Sequence, residues 1–362
     1  MLKNKINSLQ LSSILIDIML ASFLGTGIFA IIKKSGIDAY LSVIIGGIIG
    51  ISLIILFLYI FNYKENLNFK EKIIDLFGKH LGNFINILII FIVFTMAISS
   101  TYNLMNFITS QFLPETPPIF IGLVFAFLVI LINSKGFEVI SRVCLIICII
   151  CCILFFVTAF GLLPEFDINN LKPFLEFGLS RPIKGSAFVI CFNIIPVFLL
   201  LVIPKNNLVD KEKFNKYLLF AYVFSIFLMF LVIILTLGDL GIHLASIYQY
   251  PEYITLKNIK IFGFLDRIEN FITLQWLFGL FTNITIAVYF LSNSIKSNYK
   301  GIILPIIISL LLVFSSLIIF PNNTIFNNYI YKYSLIFRMI LIIIILIISI
   351  KIFVRKKTFK IT

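Results

Sequence analysis

The sequence predicts an all-α polytopic membrane protein of about ten transmembrane helices, and three observations carry that prediction. Of 362 residues, 60% are apolar and only 12% charged, with a mean hydropathy of +1.11. Apolar runs approaching or exceeding the roughly 20 residues that cross a bilayer follow one another along the whole chain. Between them lie short segments rich in charge, Pro or Asn, none long enough for a soluble catalytic domain. An ordinary soluble domain, a disordered chain and a disulfide scaffold are excluded by the same numbers.

In order, the predicted spans are residues 11–32, 40–61, 84–108, 117–133, 139–163, 186–203, 217–240, 271–291, 302–320 and 334–354. The fourth is barely long enough, and Pro117-Pro118 fit only at its first turn. The polar start lacks a cleavage site after the first run, which predicts no cleaved leader. Two connecting segments are long enough to hold structure. Residues 164–185 are acidic and then proline-punctuated; residues 241–269 carry an amphipathic run, 254–268, expected to form a short interfacial helix. Both are expected on the outer face.

Charge gives the orientation. The chain holds 29 Lys and Arg against 16 Asp and Glu, a formal charge of +13. With the N-terminus inside, 19 of the 29 basic residues fall on the inner side. The positive-inside rule then places both termini in the cytoplasm. The same rule and the anionic lipid of the bilayer account for the basic excess. No basic stripe with interleaved aromatics lies outside the spans, so nucleic acid is not an expected partner.

Chemistry-bearing motifs are sparse. Cys144, Cys148 and Cys151 share one helix face but have no neighbouring His or carboxylate, so helix packing is expected and no metal. His80 and His243 are isolated. No nucleotide, zinc-protease or nucleophile-elbow motif occurs. No enzyme activity and no cofactor are expected.

The informative features are interruptions inside spans. Within a bilayer every backbone polar group needs a partner, so irregular backbone persists only where it lines a cavity or binds something. Gly25-Thr26-Gly27 lies mid-way along the first span, where two glycines weaken a helix by about 1 kcal/mol each. In the sixth span Asn193 and Pro196 place a buried amide beside a helix breaker. Spans one and six correspond if ten spans divide as five plus five, the arrangement of inverted-repeat transporters with a midplane site. The expected division is 1–163, an outer connector 164–185, and 186–362. Gly25, Thr26, Gly27, Asn193 and Pro196 are therefore candidate ligand-binding residues, joined by Thr282, Asn283 and Tyr102, with Asn103 beside Tyr102 as a further candidate. Asp17, alternatively a partner for Arg142, and Thr285 are candidates for a proton or cation. Arg267 and Glu269, flanking span eight, are expected to snorkel to the interface.

These residues resemble a known family, the B subunits of endospore germinant receptors, or spore germination permeases, within the amino acid–polyamine–organocation transporters. The resemblance rests on Gln10, on Gly25-Thr26-Gly27, on Lys172-Pro173 through Gly178 to Lys184-Gly185, and on Tyr250-Pro251 through Arg267-Ile268-Glu269 to Trp276. It implies a five-plus-five bundle with broken first and sixth helices in the spore inner membrane. Implied partners are a membrane A-type subunit, a lipoprotein C-type subunit and a small-molecule germinant, such as an amino acid, that triggers germination. Many relatives carry an acidic step in span six where this chain has Asn193-Ile194-Ile195, which removes one partner for a ligand amine. A secondary transporter of amino acids or other amines, driven by a proton or sodium ion, is the alternative.

Overall fold

The computed structural model describes residues 5–176, 178–257, 269–295 and 301–358. Among them no strand occurs, and the helices run in the order the apolar segments dictate. The first span is two helices, α1 (Ser8–Phe23) and α2 (Thr26–Ser35). Next come α3 (Ala39–Phe61), the short α4 (Phe69–Phe77), α5 (Lys79–Gln111), α6 (Pro118–Ser134) and α7 (Phe137–Leu162). After the connector comes α8 (Ser180–Phe188), which continues into a π-helical turn and a 3₁₀ helix through Val202. Then follow α9 (Phe214–Ile247), α10 (Pro251–Lys257), α11 (Glu269–Ser294), α12 (Ile303–Ile319), α13 (Asn323–Tyr329) and α14 (Leu335–Thr358). Seven of the described helical stretches are long and apolar enough to cross a membrane; 8–23, 118–134 and 303–319 are shorter apolar helices.

Small residues set the packing. Gly46, Gly47 and Gly50 line α3, and a methyl group there would lie within 3 Å of Val189, Ile226 and Ile194 respectively. The backbone of α3 thus approaches the sixth span and α9 closely, as expected where helices associate without a hydrophobic driving force. Tyr222 of α9 donates its hydroxyl to the Gly47 carbonyl at 2.6 Å, fixing the contact. α1 is buried along most of its length, its neighbour α11 packing so tightly that a Cβ on Gly279 would meet Ala21 at 2.8 Å.

Segments near both chain termini meet at one end of the bundle, called here the terminal end, and polar contacts close it. Ile6 pairs with Leu208, and the Ser8 N–H donates to Asp210 at 2.7 Å. Glu65 accepts from Lys205 and Lys211, at 2.7 and 2.8 Å. Asp75 of α4 gathers Lys64, Tyr63 and Arg355 of α14 within 2.9 Å. These cations hold the Glu65 and Asp75 carboxyls below their ordinary values. Lys72 is buried and donates to the Ile60 and Phe61 carbonyls, capping α3 at its C-terminus.

Of the run expected to form an interfacial helix, only its start is described, and that start is buried in the bundle. α10 occupies the start of that segment, and Pro251, Glu252, Tyr253, Thr255 and Leu256 are all buried. Tyr250 and Tyr253 pack edge-on to Phe107 at 5.0 and 5.7 Å, which draws the helix into the bundle. The rest of the run, through residue 268, lies outside the described residues. The connector after α7 forms two 3₁₀ turns and a cis Lys172–Pro173 bond before α8.

Candidate functional site

The first span breaks where glycine permits it. α1 ends at Phe23, Leu24 is extended, and Gly25 takes φ +71°, a conformation that L side chains rarely adopt. Space enforces the same choice. A Cβ on Gly25 would lie 2.2 Å from the Trp276 ring, and one on Gly27 2.3 Å from the Ser22 carbonyl. Thr26 and Gly27 already belong to α2, so the break is shorter than the glycine pair suggests.

The freed backbone groups find partners from two distant segments. Trp276 of α11 donates its indole N–H to the Ala21 carbonyl at 3.2 Å. Glu252 of α10 accepts the Gly25 N–H at 2.5 Å. Burial pushes the Glu252 carboxyl up to about 7, an effect that the Gly25 N–H opposes. Its second oxygen, Oε2, has no partner.

The sixth span is interrupted by a change of pitch. Val189–Ile194 winds as a π helix and Ile195–Val202 as a 3₁₀ helix. Pro196 stands at the first turn of the narrow segment, where its missing N–H breaks the bonding register. Asn193 closes the wide turn and is fully buried, yet neither its Oδ1 nor its Nδ2 has a partner. Its Oδ1 lies 3.9 Å from the position a Gly27 Cβ would take, so this amide faces the broken first span.

Span eight completes the wall. Asn283 donates to Ser22 at 3.2 Å and to Ser100 at 3.5 Å, tying α11 to α1 and α5. Thr282 and Thr285 are also buried, the Thr282 hydroxyl beside Cys144 of α7 and the Thr285 hydroxyl without a partner. Asp17 is buried against Cys148 and Cys152 of α7, and its Oδ2 has no partner. A cavity of about 20 Å³, room for a water, lies beside it, bounded also by Cys151, Gln275 and Gly279. The three-cysteine face thus backs Asp17. Arg142 does not reach it, because that guanidinium is taken by Glu138 one turn away.

The structure therefore brings together Gly25, Thr26, Gly27 and Asn193, with Asn283 one turn along α1. Tyr102 is not among them: its ring packs against Phe320 and Phe326 at 5.3 and 4.6 Å. Its neighbour Asn103 approaches instead, donating to Thr26 at 3.4 Å. Glu269 is buried and Oε2 unpartnered, where snorkelling was expected, while Arg267 lies outside the described residues. Among the described residues no cluster of three metal-ligating side chains occurs. Sequence reasoning missed Glu252, because a carboxylate in a connecting segment reads as solvated. It also missed Arg338, although that is the single charge in residues 335–350 and so legible by its isolation.

Chemically, such a site binds; nothing in it combines a nucleophile with an oriented base. An amide with two unmet valences beside a broken helix is a feature that suits a small polar molecule enclosed in an apolar wall.

Comparison with known proteins agrees. The profile of the family described as spore germination protein matches residues 5–328. Spore germination protein A2 of Bacillus subtilis is 27% identical over 301 residues, covering 82% of this chain and 81% of the relative. Spore germination protein KB of B. subtilis is 26% identical over 71% of this chain and 69% of its own length. Spore germination protein XB of Bacillus anthracis is 22% identical over 74% of each. Among solved structures, the Eremococcus coleocola manganese transporter bound to an aromatic bis-isothiourea compound superposes with a TM-score of 0.63 at 15% identity, covering 94% of this chain and 78% of that one. A mutant form of the same transporter gives 0.61 at 13% identity over the same shares. That likeness establishes a transporter-type helical fold. The profile match over nearly the whole length establishes the rest: this integral membrane protein belongs to the spore germination protein family.

Proposed function

We propose that the chain is the nutrient-sensing, permease-like subunit of a spore germinant receptor, binding a small molecule, foremost an amino acid, at the midplane to trigger germination. The observation that carries this reading is the unpartnered Asn193 amide lying against Gly27 at the break in the first span. Unmet hydrogen-bonding capacity in a dry interior is costly, and a polar ligand supplies what the protein leaves open. Thr26, Asn283 and Thr282 complete the ligand's surroundings, and Pro196 lets span six yield beside it. Residues 1–163 and 186–362 act as the two halves whose relative arrangement the ligand biases. A tenfold shift between two arrangements requires only about 1.4 kcal/mol of differential affinity.

In this reading the protein sits in the spore inner membrane with both termini cytoplasmic. An A-type membrane subunit and a C-type lipoprotein receive the signal. The relatives named as spore germination proteins support it. A second reading, a secondary transporter of amino acids or amines coupled to a proton or sodium ion, is favoured by the manganese-transporter likeness and by the cavity at Asp17. There Asp17 and Thr285 hold the coupling ion.

Germination of spores lacking this gene, tested against amino acids, sugars, nucleosides and bile salts, separates the two. Loss of response to one class, with vegetative uptake unchanged, supports the receptor. A lost uptake with normal germination supports the transporter.

A further inference from the structure

Arg338 lies in the first turn of α14 and is 5% exposed, the single charge in the apolar run 335–350. Its guanidinium carbon stands 3.6 Å from the centroid of the Phe192 ring, in the π-helical turn of span six. The ring accommodates the face of the cation but leaves its edge free. Both Nε and Nη1 lack a partner, and among the described residues no carboxylate pairs with this arginine. The turn that carries Phe192 also carries Asn193, the amide open toward Gly27.

A buried cation normally has a counter-ion, because the membrane interior gives it nothing else. Here, among the described residues, no carboxylate plays that part, and the Nε–H and Nη1–H donors, on different edges of the planar cation, can each donate to an oxygen of an anionic group. A cluster of rings connects it to a second cation. Phe192 stacks on Phe188, Phe188 meets Tyr331 at 6.1 Å, and the exposed Lys33 lies over the Tyr331 ring at 5.8 Å. The Tyr331 hydroxyl is also unpartnered. A cation at the surface and a buried second one, joined by rings, favour an anionic group and disfavour a cationic one.

We infer that the Arg338 guanidinium is the binding site for the carboxylate of the small molecule, seated between the π-helical turn of span six and α14. This inference rests on the midplane binding proposed above and specifies it: the ligand is an acid or zwitterion, and span ten contributes to its recognition. Asn193 then faces the ligand's uncharged or amine-bearing part.

The test is thermal denaturation of the full-length chain in nanodiscs with each of the twenty standard L-amino acids, with the carboxamide of each, and with neutral sugars and nucleosides. The expected result is that at least one amino acid raises the midpoint while its carboxamide needs at least about tenfold higher concentration. Arg338→Gln should erase that difference, and Arg338→Lys, which keeps the charge but loses the fork, should retain part of it. If Arg338→Gln does not fold, the acid–amide comparison in the unaltered chain and in Arg338→Lys still decides. Equal shifts by acid and carboxamide, or stabilisation by a neutral sugar or nucleoside alone, would overturn the carboxylate site while leaving midplane binding intact. No shift by any compound would overturn the midplane binding itself.

Discussion

The terminal end of the bundle and its middle treat polar groups in opposite ways. At the terminal end, Asp75 gathers Lys64, Tyr63 and Arg355, Glu65 accepts from two lysines, and Lys72 caps two carbonyls. In the middle, Asn193, Thr285, Asp17 and Arg338 are buried with unmet valences. The charged end is exposed enough to tolerate loose pairs, and these charges are nevertheless paired. The dry end of the comparison, where an unpaired group costs most, is where partners are missing. Stability alone would produce the reverse distribution. The difference supports the proposed site in the middle and assigns closure to the terminal end.

The largest expected effect comes from filling the break. Gly25→Leu imposes a side chain on φ +71° and drives it into Trp276, so response to nutrient should be abolished while the chain still inserts. Immunoblotting of membrane fractions alongside germination assays checks both halves of that statement. A normal response would place the site elsewhere.

Glu252 should give the next largest effect, and it carries a pH signature. Its folded value of about 7 lies above the ordinary 4.5, so the fold favours the protonated acid. That contribution is fully present below pH 4.5 and is lost as pH rises toward about 7, a change of about 3 kcal/mol at most. Glu252→Gln should flatten the dependence between pH 4.5 and 7, as read by thermal midpoints across that range. Tyr250 is the titratable neighbour, and its phenol stays neutral over the interval.

At the terminal end the sign reverses and the size falls. Asp75 is held below 3.8 by its cations, so its contribution is present above 3.8 and lost as pH falls through the lowered value. Asp75→Asn should cost about 1–2 kcal/mol, because Arg355 and Tyr63 lose a shared, half-buried acceptor. Nutrient response should persist, since the middle is untouched. Lys64→Gln, at an exposed pair, should change the thermal midpoint by an amount equivalent to less than about 1 kcal/mol.

Much of this was legible in the sequence, for physical reasons. Apolar length and the charges between runs mark helices in a bilayer, so each predicted span falls on an apolar helix or its broken equivalent. Gly25 was legible because glycine in a lipid-facing run has few uses other than close approach or a break. Helix ends were not: α9 runs on through Gly241, whose φ of +66° kinks it, to Ile247. The contrast of Tyr102 with Asn103 shows a second limit. Adjacent residues point about 100° apart on a helix, and hydropathy does not say which faces a neighbour. Glu252 lies 227 positions from the Gly25 N–H it accepts, and only the folded chain brings them together. Arg338 marks the opposite case: its isolation in an apolar run is a local signal that needs no folded chain, yet it is not among the predicted site residues.

The most direct test of the central claim is saturable binding of a radiolabelled nutrient, the one whose response is lost in spores lacking this gene, to the full-length chain in nanodiscs. The unaltered chain and Asp75→Asn should bind alike, and Gly25→Leu should not bind. Equal binding by Gly25→Leu, or loss in Asp75→Asn alone, would contradict a site built on the broken first span.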